Sequence, residues 1–106
     1  MIARRLRWAR TPVERAKGLL RGAPLDATEA LVIEAARQVH TFGMRYPIDV
    51  CFCDRDWHVL HVVRAMAPRR VTKWVWRARF AVETRAGALG AARPGDQLSL
   101  VECSDR

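Results

Sequence analysis

The tightest constraint on this chain is a hydrophobic period of two. Over residues 48–53, Ile48, Val50 and Phe52 alternate with Asp49, Cys51 and Cys53. Over 57–66, Trp57, Val59, His61 and Val63 alternate with His58, Leu60, Val62 and Arg64. Successive side chains of an extended strand point to opposite faces, so this pattern fits strands and not the wider apolar stripe of a helix. Asp54-Arg55-Asp56 supplies a hairpin turn between the two runs, and Pro68 ends the second.

Weaker versions of the pattern continue along the chain. Residues 2–9 set Leu6 and Trp8 against Arg5 and Arg7. Residues 30–36 form a short apolar run that reads as a strand. Residues 38–42 alternate Gln38, His40 and Phe42 with Val39 and Thr41, and Gly43 to Pro47 forms a turn. Residues 79–85 place Phe80 and Val82 on one side. Gly87 to Ala92 is a turn, and Pro94-Gly95-Asp96 leads into a last strand at 97–102 with Leu98 and Leu100 on one side. One segment departs from this. Thr11-Pro12-Val13-Glu14 has Thr at N-cap, Pro at the first helical position and Glu at the third, a capping box. Val13, Ala16, Leu19 and Leu20 then share a helical face, and Gly22 and Pro24 close it, which predicts a helix over 12–21. About seven short strands and one helix, without regular alternation of the two, predict a mainly β fold. The expected form is a small antiparallel sandwich or barrel. With 106 residues the chain makes a single domain, 1–106. Its uncharged runs fall far short of a membrane-spanning helix.

The net charge of +8 is concentrated in two places. Residues 1–10 carry four arginines and no acid. Residues 57–82 carry Arg64, Arg69, Arg70, Lys73, Arg77 and Arg79, again with no acid. Trp74 and Trp76 lie inside the second segment. Cations with stackable indoles are the combination that binds single-stranded nucleic acid or an anionic surface. In the plainer alternative both rings cover the edge of the core and the arginines are simply solvated.

Cys51, Cys53 and Cys103 are an odd number of thiols, and no secretory signal is visible at the start of the chain. A cytoplasmic protein with reduced cysteines is expected. The side chains of Cys51 and Cys53, two apart on a strand, point in parallel, which is poor disulfide geometry. Together with His58 and His61 they mimic zinc-ligand spacing, but the two histidines fall on opposite faces of one strand, so no metal site is expected. Nucleophile elbows and glycine-rich phosphate loops are absent, and no cofactor is expected.

Larger blocks of sequence match a known pattern. Thr11-Pro-x-Glu-Arg15-x-x-Gly18-Leu19 is followed by Val39-His40-Thr41-Phe42-x-Met44-x-x-Pro47-Ile48-Asp49-Val50-x-Phe52-x-Asp54. Val82-Glu83, Ala86-Gly87 and Pro94-Gly95-Asp96 come later. Over about residues 8–101 the chain resembles the domain-of-unknown-function 192 family. The resemblance implies a compact, mostly β domain of a kind often exported, with no established activity.

Four polar residues within the matched blocks stand out: Arg15, His40, Asp49 and Glu83. A charge set into an apolar strand is costly unless paired. The commoner fate of such residues is a structural network that fixes strand order. The functional alternative is a polar pocket in which they converge on a ligand. Three functional readings follow. The first is a non-catalytic binding or accessory module for a small ligand or a protein partner. The second is a nucleic-acid or anionic-surface binder acting through 64–79. The third is an enzyme centred on His40 and Glu83.

Overall fold

All six residues of the strand Ile48–Cys53 are buried. The alternation read from the sequence therefore separates two apolar faces, not an apolar face from a wet one. The computed structural model describes residues 2–3, 5–10, 25–26, 28–99 and 101–102. It contains β1 (Ile2–Ala3), β2 (Arg5–Ala9), β3 (Glu29–Glu34), β4 (Ile48–Cys53), β5 (Val59–Met66), β6 (Phe80–Arg85) and β7 (Val101–Glu102). The expected helix at 12–21 lies outside the described residues, as do Arg15 and Cys103; no helix occurs among those described.

Five strands form one sheet in the order β2-β3-β6-β4-β5, and β1 and β7 make a separate parallel pair. The mainly β class is as expected, but the sheet is open, with β2 and β5 at opposite edges, and not closed into a barrel. It is also mixed, because β2 runs parallel to β3 while the other pairs are antiparallel. A parallel pair needs a crossover of roughly a dozen residues or more, and residues 10–28 supply that length. The first face of the sheet carries Leu31, Ile33, Ile48, Val50, Phe52 and Ala81. The second carries Ala30, Val32, Cys51, Cys53 and Val82, with Leu89 and Leu98 packed on them.

Of the expected strands, 38–42 is corrected to an isolated bridge, and 97–102 is shortened to β7 (Val101–Glu102) preceded by a bridge. Residues 38–42 contribute only His40 opposite Val71, and 97–102 begins with only Gln97 opposite His58. In the first case the Thr41 N–H donates to the Arg70 carbonyl and the Thr72 N–H to the Val39 carbonyl, both at 2.9 Å, and threonine hydroxyls take the place of the bonds that would extend this ladder. The Val39 N–H donates to Thr72 Oγ1 at 3.0 Å and the Arg70 N–H to Thr41 Oγ1 at 2.9 Å, while the Thr41 hydroxyl donates to the Ala67 carbonyl at 2.7 Å. Side-chain groups of this kind compete with regular pairing. The second bridge, with the Val59 N–H donating to the Asp96 carbonyl at 2.8 Å, covers the start of edge strand β5.

β5 also carries irregularities that place side chains. Ile48 faces Met66 while Val50 faces Val63, so β5 has one extra residue there, and Ala65 occupies the bulge with a left-handed φ of 47°. The Ala65 N–H donates to Asp49 Oδ1 at 2.8 Å. Asp49 Oδ2 accepts from the N–H groups of Gly87 at 2.9 Å and Leu89 at 3.4 Å, in the turn after β6. One buried carboxylate thus binds the bulge of β5 to the segment that follows β6. At the other end of the hairpin, Trp57 holds a left-handed φ of 66°, an unusual state for a bulky residue. Its ring stacks on Phe80 at 4.2 Å and meets Trp8 edge-on at 6.4 Å. Such contacts help hold the backbone there.

Asp49→Ala is expected to cost about 3 kcal/mol, because it strands buried N–H groups; the denaturant midpoint measures this, and Asp49→Asn, which keeps one acceptor, should lose less. Cys51 and Cys53 are both free and buried. An alkylating agent without reductant should label them only after unfolding, as read by intact mass.

Candidate polar site on the first sheet face

Of the four residues expected to converge, the structure describes three and separates them. In the antiparallel β4–β6 pair Asp49 faces Thr84, and Val50 faces Glu83. Directly opposed residues share a face, and neighbours along a strand do not. Glu83 therefore projects with Val50 and Leu31 on the first face, and Asp49 projects with Cys51 on the second. The expected convergence of Asp49 with Glu83 is corrected by this register: residues 49 and 83 differ in strand parity. His40 is exposed, while Val39 and Thr41 on either side of it are buried. Its Nδ1 accepts from the Phe42 N–H at 3.3 Å, and its ring lies 5.6 Å from that of Phe42. No hydrogen bond or ion pair joins His40 to Glu83 among the described residues.

Other residues gather around Glu83 instead. The parallel β2–β3 register sets Arg7 opposite Leu31, which itself faces Glu83. The Arg7 guanidinium reaches Glu29 Oε2 at 3.4 Å. Glu29, two residues before Leu31 on β3, is buried on that same face. Tyr46, from the turn before β4, packs against the first-face core. Its hydroxyl and Glu83 Oε1 are buried without a hydrogen-bond partner among the described residues. The Tyr46 phenol is pushed above its ordinary range by burial first and by the Glu83 carboxylate second, with Arg7 acting in the opposite direction. Both charges therefore act on one hydroxyl. Burial pushes the Glu83 carboxyl up to about 7. At neutral pH it is poised between a neutral acid that can donate a hydrogen bond and an anion that can only accept.

The remaining chemical candidates sit apart. The Cys51 and Cys53 sulfurs lie 3.7 Å from each other on the second face. The hydrogen bond they share lowers Cys51 and, together with burial, pushes Cys53 up. His61 faces Phe52 on the first face and stacks on it at 6.2 Å, so it is on the far side of the sheet from the thiols. The sequence did not group Asp54 and Asp56 with His58, yet their ligand atoms lie within 4.8 Å of one another. Asp54 Oδ1 is already engaged there by the N–H groups of Asp56 and His58, both at 2.9 Å, which closes the hairpin turn. These bonds, that to His58 first, lower the Asp54 pKa.

A family model described as an uncharacterised ACR, domain of unknown function 192, matches residues 2–100. The chain belongs to this family. Two crystal structures share its fold. One, a protein of unknown function from Novosphingobium aromaticivorans DSM 12444, aligns with a TM-score of 0.76 and 22% identity, over 88% of this chain and 72% of that one. The other, described as a "putative transcription regulator" from Sinorhizobium meliloti 1021, aligns with a TM-score of 0.76 and 17% identity, over 89% and 79%. At these identities the likeness establishes the fold alone. No curated protein sequence shows significant similarity to the chain.

The Glu83 environment makes stability depend on pH. Its folded pKa of about 7 lies above the ordinary 4.5, so the folded state holds the proton more tightly than the unfolded one. Stability should be fullest below the unfolded pKa and fall as pH rises through about 7, by about 3 kcal/mol in all. Glu83→Gln should flatten this loss in denaturation curves taken across that range; an unchanged slope would assign the dependence to other groups.

Proposed function

We propose that this member of the domain-of-unknown-function 192 family is a non-catalytic binding module for a small polar ligand, anchored by Glu83 and Tyr46 with Arg7 beside them. The observation that carries this reading is a pair of buried polar atoms, Glu83 Oε1 and Tyr46 Oη, that lack partners among the described residues on one face of the sheet. Native proteins pair most such atoms, and an orphaned one calls for an explanation such as a ligand. Glu83 offers a carboxyl, Tyr46 a hydroxyl that both donates and accepts, and Arg7 a cation whose side chain is partly exposed. That set suits a compact molecule carrying at least one hydrogen-bond donor for the carboxylate and one acceptor for the phenol. His40 and Asp49 have no part in this reading. The first contacts solvent and Phe42, and the second commits its carboxylate to backbone N–H groups.

A thermal-shift screen against small polar amines, amides and polyols tests the proposal. A hit should raise the melting temperature of the wild type and lose that effect in both Glu83→Gln and Tyr46→Phe. Each variant alters an atom that makes no hydrogen bond to the described residues, so both should remain folded. A cationic hit should bind more tightly as pH rises through about 7, because the carboxylate it pairs with is then formed. A screen without hits, or a hit retained in both variants, would overturn the reading.

A further inference from the structure

Two exposed indoles lie beside the edge of β5, on the loop that follows it. Trp76 is 77% exposed and Trp74 46%. Their ring centroids are 5.6 Å apart and their planes meet at 70°. Between them and β5 runs a cleft of about 290 Å³, edged by Lys73, Arg77 and His61 with Val75 beneath. This is near the lower end of the range for ligand pockets.

The backbone that presents the rings is well anchored. Val75, between the two tryptophans, is buried in the first-face core, and Ala78 is buried beyond them. The Val75 N–H donates to the Arg37 carbonyl at 2.7 Å, and Arg37 Nε donates to the Trp76 carbonyl at 3.0 Å. The strand-like alternation of 74–76 thus turns Val75 inward and leaves both indoles facing water. Covering the core edge, the plainer role for these rings, falls to Val75.

The surrounding charge is of one sign. No acid occurs in residues 57–82. Arg69, Arg70, Lys73 and Arg77 are exposed, and none of them forms an ion pair among the described residues. The salt bridges found among those residues use Arg7, Arg10 and His58. An anion approaching this loop meets uncompensated cations on both sides of the rings.

We infer that the Trp74–Trp76 cleft binds single-stranded nucleic acid, one base stacking on the Trp76 indole while Lys73, Arg77, Arg69 and Arg70 hold the flanking phosphates. Aromatic faces accept any base, and the cations follow the backbone, so such binding is tolerant of sequence and sensitive to salt. Stacking on an indole needs a base whose face is free, which places fully stacked duplexes at a disadvantage. This site is independent of the Glu83 reading and shares no residue with it.

The test uses the full chain and a short fluorescently labelled oligothymidylate, followed by anisotropy and by tryptophan quenching. Binding should quench tryptophan emission and weaken more than roughly tenfold from low to physiological salt. Trp76→Ala should weaken it by roughly tenfold, and Trp76→Phe, which keeps a stacking face, should restore most of the loss. Replacing Arg69 and Arg70 with Gln should reduce the salt dependence. Absence of binding at low salt would overturn the inference. So would equal binding of duplex or heparin with no effect of Trp76→Ala, which would mark a plain basic patch. Binding to vesicles containing anionic lipid, without binding to the oligonucleotide, would overturn it in favour of a membrane surface.

Discussion

Burial of the central sheet on both faces is the constraint on which the rest of the molecule depends. A strand with one wet face can carry polar residues at alternate positions without cost. β4 has no wet face, and four of the six β6 residues are buried. Every polar group set into these strands must find its partner inside the protein or bear the cost of desolvation. Asp49 satisfies that demand with backbone donors from two other segments. Thr84 satisfies it locally, donating to the Arg85 carbonyl at 3.1 Å. Glu83, beside Thr84 in sequence and turned to the other face, leaves Oε1 unmatched among the described residues. The contrast between Asp49 and Glu83 is therefore one of accessible donors and not of burial.

The legible part of the fold was the part governed by side-chain alternation. β4, β5 and the turn between them follow from the period of two and the Asp54-Arg55-Asp56 turn. Alternation could not distinguish a wet face from a second buried one, since Asp49, Cys51 and Cys53 look as tolerable at a surface as inside. The parallel pairing of β2 with β3 was also hidden. A strand, a long intervening segment with a helix cap and another strand are compatible with a crossover, yet the abundance of short strands favoured antiparallel closure. Residues 38–42 misled for a more local reason. Thr41 and Thr72 are good strand residues by shape, but their hydroxyls take the place of the hydrogen bonds that would extend a ladder.

Site residues were legible only as types. Isolated polar residues within apolar strands were worth marking, and two of them, Asp49 and Glu83, are indeed buried. Whether they meet depends on strand parity across a register that no local pattern reveals. Tyr46 was missed because it lies between Gly43 and Pro47, where a turn is the sufficient explanation, and only tertiary packing turns its hydroxyl toward the field of Glu83. The tryptophans show the same limit. Trp74 and Trp76 stand two apart with Val75 between them, and that spacing alone does not say which side faces the core.

The two faces of the sheet consequently divide the work. On the second face Asp49 fixes the β5 bulge, the two thiols fill space beside Val82, and Trp57, Phe80 and Trp8 pack ring against ring. The first face holds the unmatched carboxyl and phenol, and at its β5 border lies the cleft edged by His61, whose ring stacks on Phe52 of the same core. A small fold is held together by a modest excess of favourable terms, so an unpaired buried group can persist only where the neighbouring structure is otherwise well determined. Asp49 and Glu83 sit on adjacent strands with opposite parity, and this is how one sheet accommodates both: the satisfied carboxylate braces the backbone of β4, and β4 in turn holds the strand that carries the unsatisfied one. Loss of Asp49 should therefore be felt on the first face as a shift in the Glu83 environment, although the two side chains lie on opposite sides of the sheet.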